Sequence, residues 1–293
     1  MIDITNLTRD YGHDKGVFDL SLHIDQGEVF GFIGPNGAGK TTTIRHLMGF
    51  LFPEKGTCTI NGMNCWKYAP KIQKNLGYIA GEISFFDDMT GPQFIKFLEK
   101  YRKVQNSRAD ELIKRFDLDP QGKIKKMSKG MKQKIGIVTA FMHNPDIIIL
   151  DEPSSGLDPL MQNRFIELIQ EEKEKGKTIL MSSHIFEEVE RTCHRVGIIK
   201  NGHIIAMDTV ANLKAMQTKK YVVTFQHHEG ADSFMSEPLE MQRLSNHRIE
   251  VTIKNNLPQF LQILTKHPIV NLDAPSQGLE DIFMGFYGGE QNV

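Results

Sequence analysis

An α/β fold built on a parallel β-sheet is predicted by three features of the chain. Short apolar runs with the character of buried strands occur at residues 28–33, 146–150 and 178–183. Runs with helical periodicity alternate with them, as at residues 161–175. A glycine-rich motif stands directly between the first of these strands and the helix that follows it. Strands and helices in this alternating order favour a parallel sheet with helices on its faces.

Asn-Gly pairs between strand-like flanks predict antiparallel hairpins at the edges of this sheet. They occur at residues 61–62 and 201–202. Helical patterns are further expected at residues 93–103 and 108–116. After about residue 208 the pattern becomes strand, hairpin, helix, strand and helix. We therefore expect a small α+β accessory domain at residues 210–293, a length that suffices for a separate core.

The glycine-rich motif is GPNGAGKT, which fits the phosphate-binding pattern G-x-x-x-x-G-K-[ST]. Its glycines let the backbone curl so that successive N–H groups face phosphate oxygens at the start of a helix. Lys40 is expected to reach the β- and γ-phosphates, and Thr41 to ligate Mg²⁺. The predicted nucleotide-binding residues of this segment are Gly34, Pro35, Asn36, Gly37, Ala38, Gly39, Lys40, Thr41 and Thr42.

A pair of carboxylates follows the second apolar strand, in the sequence IIILDEP. Buried carboxylates are costly unless they are paired or bound to metal, so two at the exit of one strand indicate a site. Asp151 is suited to bind Mg²⁺, directly or through a water ligand. Glu152 is suited to act as the base that orients and deprotonates an attacking water.

Composition excludes several other classes of protein. The chain has 293 residues and a formal net charge of −1, which disfavours a dedicated nucleic-acid binder. It has no signal-peptide pattern at its start and no apolar run of membrane-spanning length. The three cysteines are expected to be reduced, small apolar residues of a cytoplasmic protein. The pair His227 and His228 lacks a third ligand at a suitable spacing, so we interpret it as surface histidine.

A lysine-rich stretch, residues 123–134, contains the sequence MSKGMKQK. It lies between the glycine-rich motif and the carboxylate pair. In this position it resembles the signature motif of ATP-binding cassette (ABC) ATPases, usually LSGGQ. The sequence SSGLDP after Glu152 resembles the D-loop of that family, His184 its switch histidine, and Tyr11 its adenine-stacking aromatic. Five motifs in the family's order cover residues 1–209. The lysines are accordingly interpreted as a solvated rim, not as a nucleic-acid site.

The resemblance implies an ABC ATPase fold: a P-loop core, an antiparallel β subdomain and a helical subdomain at about residues 82–143. It implies ATP and Mg²⁺ as cofactors, with Lys40, Glu152 and His184 in catalysis. Such domains pair head to tail, as a homodimer or with a closely related ATPase. Ser128 and the backbone N–H of Gly130 would then contribute to the partner's nucleotide site, and Asp158 of the D-loop is expected to bind nucleotide.

A separate transmembrane permease is the further partner that the resemblance implies, and no nucleic acid is expected. The chain would lie on the inner face of the cell membrane through that permease. Its C-terminal sequence looks like extensions on the ATPases of bacterial exporters for antibiotics, antimicrobial peptides or similar amphipathic cargo.

This chain departs from the family pattern at two places. Lys129 and Met131 replace the usual glycine and glutamine of the signature motif. Gly81 stands where the family has the glutamine of the Q-loop. Its neighbour Glu82 is expected to approach the metal instead, if the strand breaks at Gly81. The adjacent Phe85 and Phe86 are either core of the helical subdomain or a docking surface for the permease.

Two other classes of function compete with a transporter subunit. An ABC-type ATPase acting in translation or on DNA would usually carry two cassettes or a long coiled-coil insertion, and neither is present here. A P-loop kinase would leave the signature motif, SSGLDP and His184 unexplained, whereas an adjacent Asp-Glu pair favours hydrolysis.

Overall fold

A computed structural model describes residues 1–86, 88–215, 219–253 and 256–274, together with residues 279 and 283. The chain divides into two compact units, Met1–Val210 and Ala211–Val293. None of the helices in the described ranges combines the length and the hydropathy of a membrane span.

The first unit contains ten strands and seven α-helices among its described residues. The strands are β1 (Ile2–Asp10), β2 (Gly16–Ile24), β3 (Val29–Ile33), β4 (Lys55–Ile60), β5 (Met63–Asn64), β6 (Leu76–Ile79), β7 (Ile147–Asp151), β8 (Thr178–Ser183), β9 (Arg195–Lys200) and β10 (His203–Thr209). The helices are α1 (Lys40–Leu47), α2 (Ala69–Asn75), α3 (Gly91–Arg102), α4 (Ala109–Arg115), α5 (Lys129–Phe141), α6 (Pro159–Glu174) and α7 (Phe186–Thr192).

The main sheet has the strand order β10-β9-β3-β8-β7-β6. Its strands from β9 to β6 run parallel, and β10 pairs with β9 in the antiparallel direction. Strands β3 and β7 are fully buried, and β7 is apolar up to its last residue, Asp151, as the sequence predicted. Because β3 and β7 both flank β8, their carboxyl ends meet at one edge, where Ile33 pairs with Ser183 and Asp151 with Ser182. The α/β prediction is confirmed, and both phosphate motifs leave the sheet at this edge.

A separate antiparallel sheet has the order β2-β1-β4-β5. Strands β4 and β5 are joined at Asn61 and Gly62, which have φ angles of 49° and 72°. Both values are left-handed, as a tight hairpin between Asn and Gly requires. The buried apolar residues of this sheet pack into one core with Phe32, Ile44 and Leu47. That core therefore fixes α1, and with it the glycine-rich loop, against both sheets.

The helical segment lies between β6 and β7 in the chain. Helix α3 starts two residues before the predicted position, because Thr90 caps it: the Thr90 hydroxyl accepts from the Gln93 N–H, and the Gln93 side chain accepts from the Thr90 N–H. Ser128 caps α5 by accepting a hydrogen bond from the Met131 N–H at 3.2 Å. This cap starts α5 at Lys129, three residues before the apolar period of the sequence becomes regular.

The second unit contains α8 (Val210–Ala215), β11 (Lys219–Phe225), α9 (His228–Phe234), β12 (Glu240–Ser245), β13 (Arg248–Ile253), α10 (Leu257–Leu264) and β14 (Ile269–Asp273). Helix α8 starts at the last residue of the first unit. The strands form an antiparallel sheet in the order β12-β13-β11-β14. The predicted strand, hairpin, helix and strand are present, but α9 was missed. The predicted final helix lies mostly outside the described residues.

Candidate nucleotide-binding and hydrolysis site

The glycine-rich loop connects β3 to α1 and lies against neighbouring backbone. A Cβ atom added at Gly34 would come within 2.5 Å of the Ile199 carbonyl oxygen. Gly39 has a left-handed φ of 114°, and a Cβ there would lie 3.0 Å from the Gly16 carbonyl oxygen. Both positions therefore require glycine. The loop leads into the amino terminus of α1, where backbone N–H groups and the helix dipole favour an anion.

Lys40 is the first residue of α1 and points back across the loop. Its Nζ atom donates hydrogen bonds to the carbonyl oxygens of Gly34, at 2.5 Å, and Pro35, at 3.2 Å. It also forms an ion pair with Glu152 Oε1 at 3.3 Å. The lysine is only 5% exposed, so water screens this charge little. The structure thus brings the two phosphate motifs into direct electrostatic contact.

Glu152 joins Lys40 to His184. The Glu152 Oε2 atom lies 2.5 Å from His184 Nδ1, and the His184 ring is exposed. The Glu152 backbone is left-handed, with φ of 50°, a strained conformation for a residue with a Cβ. Its N–H holds this conformation by donating to the Ser182 carbonyl and hydroxyl oxygens, each at 3.1 Å. Lys40, Glu152 and His184, the three predicted catalytic residues, therefore lie in one cluster.

Asp151 is fully buried beside this cluster. Its Oδ1 atom accepts a hydrogen bond from Ser182 Oγ at 2.5 Å. Its Oδ2 atom is also buried and has no hydrogen-bond partner among the described residues. An orphaned carboxylate oxygen fits a hard cation such as Mg²⁺, which prefers oxygen ligands and takes few from the protein itself. No group of three His, Cys, Asp or Glu side chains suited to a metal occurs in the described ranges.

The signature segment packs on the residues that follow Glu152. Gln133, a buried residue of α5, donates to the Pro153 carbonyl oxygen at 2.6 Å. Lys129, the residue that replaces the family's glycine, donates from Nζ to Ser155 Oγ at 2.9 Å. A Cβ at Gly130 would come within 2.7 Å of the Gly156 carbonyl oxygen. The start of α5 and the 153–156 segment are therefore held together within one chain.

The predicted site residues do not all come together in one chain. Across the described part of the molecule, no hydrogen bond joins Ser128 or Gly130 to Lys40 or Glu152. Tyr11 lies in the turn after β1, 48% exposed, with the Arg9 guanidinium 5.4 Å from its ring centre. This exposure leaves the ring free to contact a nucleotide base.

The other predicted residues lie on the loop, on α1 or at helix starts. Thr41 and Thr42 are half-buried in the first turn of α1, Ala38 is buried, and Pro35, Asn36 and Gly37 are exposed. Asp158 caps α6, with Oδ1 accepting from the Met161 N–H at 3.0 Å. The Asp158 carboxylate therefore serves as a helix cap in this structure, and its contact with nucleotide stays a prediction.

The Q-loop position also differs from the simple expectation. Strand β6 ends at Ile79, so the strand breaks before Gly81. Such a break is what the expected approach of Glu82 to the metal requires. Glu82 itself is exposed, and no hydrogen bond or ion pair joins it to another described residue. A Cβ at Gly81 would lie 2.9 Å from Asp151 Oδ2. Gly81 thus packs against the candidate metal ligand, while the role of Glu82 stays a prediction.

Sequence reasoning missed three residues that contact the segments of the site: Ser182, Gln133 and Glu188. Ser182 holds both Asp151 and Glu152. Its position opposite Asp151 follows from the parallel register of β7 and β8, which the sequence alone does not fix. Glu188 offered no signal either, since a carboxylate in the sequence IFEEVE is typical of a solvated helix face.

These features define a P-loop nucleoside-triphosphatase: a phosphate loop at a sheet edge, a buried lysine and a carboxylate–histidine pair. Residues 17–155 match the family model described as ABC transporter. The chain is 32% identical to a bacitracin transport ATP-binding protein of Bacillus licheniformis, over 99% of this chain and 98% of the relative. It is 35% identical to a linearmycin resistance ATP-binding protein of Bacillus subtilis, over 73% and 70%.

Solved structures agree with this similarity. An ATP-binding subunit of an ABC transporter superposes with a TM-score of 0.67 at 31% identity, covering 73% of this chain and 92% of that one. A dimeric bacterial ABC transporter cassette shares the fold, with a TM-score of 0.63 at 24% identity over 72% of this chain and 99% of that one. The chain belongs to the family of ABC transporter ATP-binding proteins, so it is an ATP-binding ATPase. This membership sets aside the P-loop kinase alternative.

Proposed function

We propose that this chain hydrolyses ATP to drive a separate membrane permease that exports antibiotics, antimicrobial peptides or similar amphipathic cargo. The observation that carries the proposal is the contiguous cluster of Lys40, Glu152 and His184 beside the glycine-rich loop. The bacitracin transport and linearmycin resistance proteins that resemble the chain support this class of cargo. The chain would lie on the cytoplasmic face of the membrane, bound to the permease.

The chemistry is an attack of water on the γ-phosphorus of ATP. Glu152 takes a proton from the water as the new P–O bond forms and the bond to the ADP oxygen breaks. His184, as an Nδ1–H donor at 2.5 Å, fixes the direction of the Glu152 carboxylate. Lys40 places a buried positive charge where the phosphoryl oxygens gain negative charge. Thr41 and Asp151 would hold Mg²⁺, which when bound neutralises phosphate charge.

A complete site would require two copies of the chain. Ser128 and the N–H of Gly130 lie at the start of α5, a 13-residue helix whose amino end suits a phosphate group. They make no hydrogen bond to the Lys40 cluster within the described residues of one chain. Head-to-tail pairing would place them on the nucleotide held by the partner's glycine-rich loop. The solved dimer of a cassette with the same fold is compatible with such pairing.

The aromatic side chains after the Q-loop position offer a surface for the permease. Phe85, Phe86, Phe94, Phe97, Leu98 and Tyr101 line a cavity of about 440 Å³ with Ser84. Phe85 is half-buried and packs edge to face on Phe94. Phe86 packs edge to face on Phe94 and Phe97, yet it is 56% exposed. Both phenylalanines therefore contact α3, and Phe86 is the one whose ring is mostly open to a partner. A cytoplasmic helix of the permease with apolar side chains would cover this surface.

The substitution Glu152→Gln tests the proposal. The amide keeps the shape of the carboxylate but cannot accept a proton, so kcat for ATP should fall by at least about a hundredfold. ATP binding should persist, and a dimer should accumulate in size-exclusion chromatography with ATP. Adding Ser128→Arg should abolish that dimer, because the arginine blocks the shared site. The control is Glu167→Gln, on the exposed face of α6. Near-native turnover in Glu152→Gln would reassign the base.

A further inference from the structure

A buried carboxylate outside the proposed catalytic cluster connects two of its loops. Glu188 belongs to α7, yet it is only 1% exposed. Its neighbour Glu187 points to solvent and pairs with Arg191, as a helix-surface glutamate usually does. Burial of an ionisable side chain without a cation is unfavourable. The contacts of Glu188 must therefore account for its burial.

One oxygen of Glu188 accepts two hydrogen bonds from two different loops. Ser154 Oγ donates to Glu188 Oε2 at 3.0 Å, and Ser183 Oγ donates to the same atom at 2.7 Å. Ser154 lies two residues after Glu152, in the segment that packs on the signature helix. Ser183 directly precedes His184 and also accepts the Ile185 N–H at 3.0 Å. The carboxylate is therefore the common partner of the two chain segments that carry Glu152 and His184.

The carboxyl group of Glu188 is buried, but a small cavity lies beside it. Burial raises the pKa of Glu188 to about 7, and the nearby charge of Glu152 acts in the same direction. The two serine hydrogen bonds lower the pKa but do not offset the burial. Glu188 Oε1 has no hydrogen-bond partner among the described residues. The cavity has a volume of about 110 Å³ and is lined by Ser154, Gln162, Ile185 and Glu188 among others. A cavity of this size with polar side chains in its wall accommodates water. That water can complete the hydrogen bonds of the buried carboxyl group.

We infer that Glu188 is a positioning residue for ATP hydrolysis, which ties the segment after Glu152 and the His184 loop to one carboxylate oxygen. The inference rests on the proposed function, because positioning matters only if Glu152 and His184 act on ATP. The two loops then keep one mutual geometry, and the 2.5 Å contact between Glu152 and His184 depends on it. Small displacements of catalytic groups cost large factors in rate.

Three variants of α7 test the inference in the full-length chain. Glu188→Ala removes the shared acceptor, so kcat for ATP should fall about tenfold or more while KM changes less than about threefold. Glu188→Gln keeps one oxygen able to accept from both serines, so kcat should return to within about threefold of native. Glu187→Gln, on the exposed side of the same helix, should behave as native.

The serines give a second readout that a purely structural glutamate would not produce. Ser154→Ala or Ser183→Ala should lower kcat in the native chain but have no further effect in Glu188→Ala, because both act through Glu188. Should Glu188→Ala not fold, the Ser154→Ala/Ser183→Ala double variant decides. A kcat fall above about fivefold at constant KM supports the inference, and a smaller fall overturns it.

Other results separate the inference from the proposed function. Native kcat in folded Glu188→Ala, or a Glu188→Gln variant as slow as Glu188→Ala, would overturn the positioning role alone. Absence of ATP hydrolysis in the native chain and in Glu187→Gln would instead overturn the proposed function, and the inference with it.

Discussion

The contact between Gly81 and Asp151 predicts that Gly81→Ala damages the site although it adds only one methyl group. The new Cβ would lie 2.9 Å from Asp151 Oδ2 and 3.2 Å from Asp151 Cγ, closer than carbon and oxygen normally approach. Asp151 cannot simply turn away, because it is fully buried and Ser182 holds its other oxygen at 2.5 Å. Either the carboxylate or the chain at residue 81 must move by some tenths of an ångström.

The magnitude follows from the packing. Extra methyl groups in a tightly packed interior typically cost about 1–3 kcal/mol. For a unit of this size each kcal/mol lowers the melting temperature by about 2–4 °C. Displacement of Asp151 should also lower kcat about tenfold and raise the Mg²⁺ concentration needed for half-maximal ATPase activity. Gly81→Gln, which restores the family's residue type, carries the same Cβ and should not gain activity.

Calorimetry and a Mg²⁺ titration of ATPase activity measure both effects. Gly122→Ala is the matched control, since a Cβ there meets nothing closer than Met127 Cε at 4.0 Å. That variant should keep its melting temperature and its Mg²⁺ dependence. If Gly81→Ala shows the same Mg²⁺ dependence and kcat as native, the contact with Asp151 has no influence on the site and the reasoning is refuted.

Three further predictions concern stability and assembly. Arg108 contacts the buried Glu172 at 2.7 Å, and Lys175 is the other cation beside that carboxylate. Arg108→Met removes the first ion pair, so it should lower the free energy of unfolding, measured in urea, by about 3 kcal/mol. Glu188 has a folded-state pKa raised to about 7, so it stabilises the fold below pH 4.5 and loses this contribution as the pH rises to 7. The melting temperature of Glu188→Gln should therefore fall less over that range than that of the native chain. Phe86→Ala should weaken co-purification with the permease at unchanged ATP affinity, whereas Phe52→Ala, equally exposed elsewhere, should not.

The parts of the site that follow from local sequence were predictable. The glycine-rich loop and the helix that follows it at Lys40 each depend on a few consecutive residues. Strand β7 followed from an apolar run and its length. The carboxylate pair was expected at its end, because parallel strands place their carboxyl ends at one edge. The fold class was predictable for the same reason.

Features that depend on distant residues were not predictable. The left-handed backbone of Glu152 follows from hydrogen bonds to Ser182, 30 residues further along the chain. The packing of Gly81 on Asp151 joins β6 to β7 across the helical segment. Helix α9 escaped prediction because HEGADSF has weak helical preference. Its Ala231 and Phe234 are nevertheless buried in the core of the second unit.

The three cysteines make the native chain a convenient background for site-directed labelling. Cys58, Cys65 and Cys193 are free and buried, and burial raises the pKa of each thiol to about 12. At neutral pH these thiols therefore stay protonated, whereas the thiolate is the form that reacts with maleimides. A single cysteine introduced on an exposed position away from the site, such as Glu167→Cys, would take up a spin label or fluorophore almost alone. Distances between two copies of the chain can thus be followed through a catalytic cycle without replacing any native cysteine.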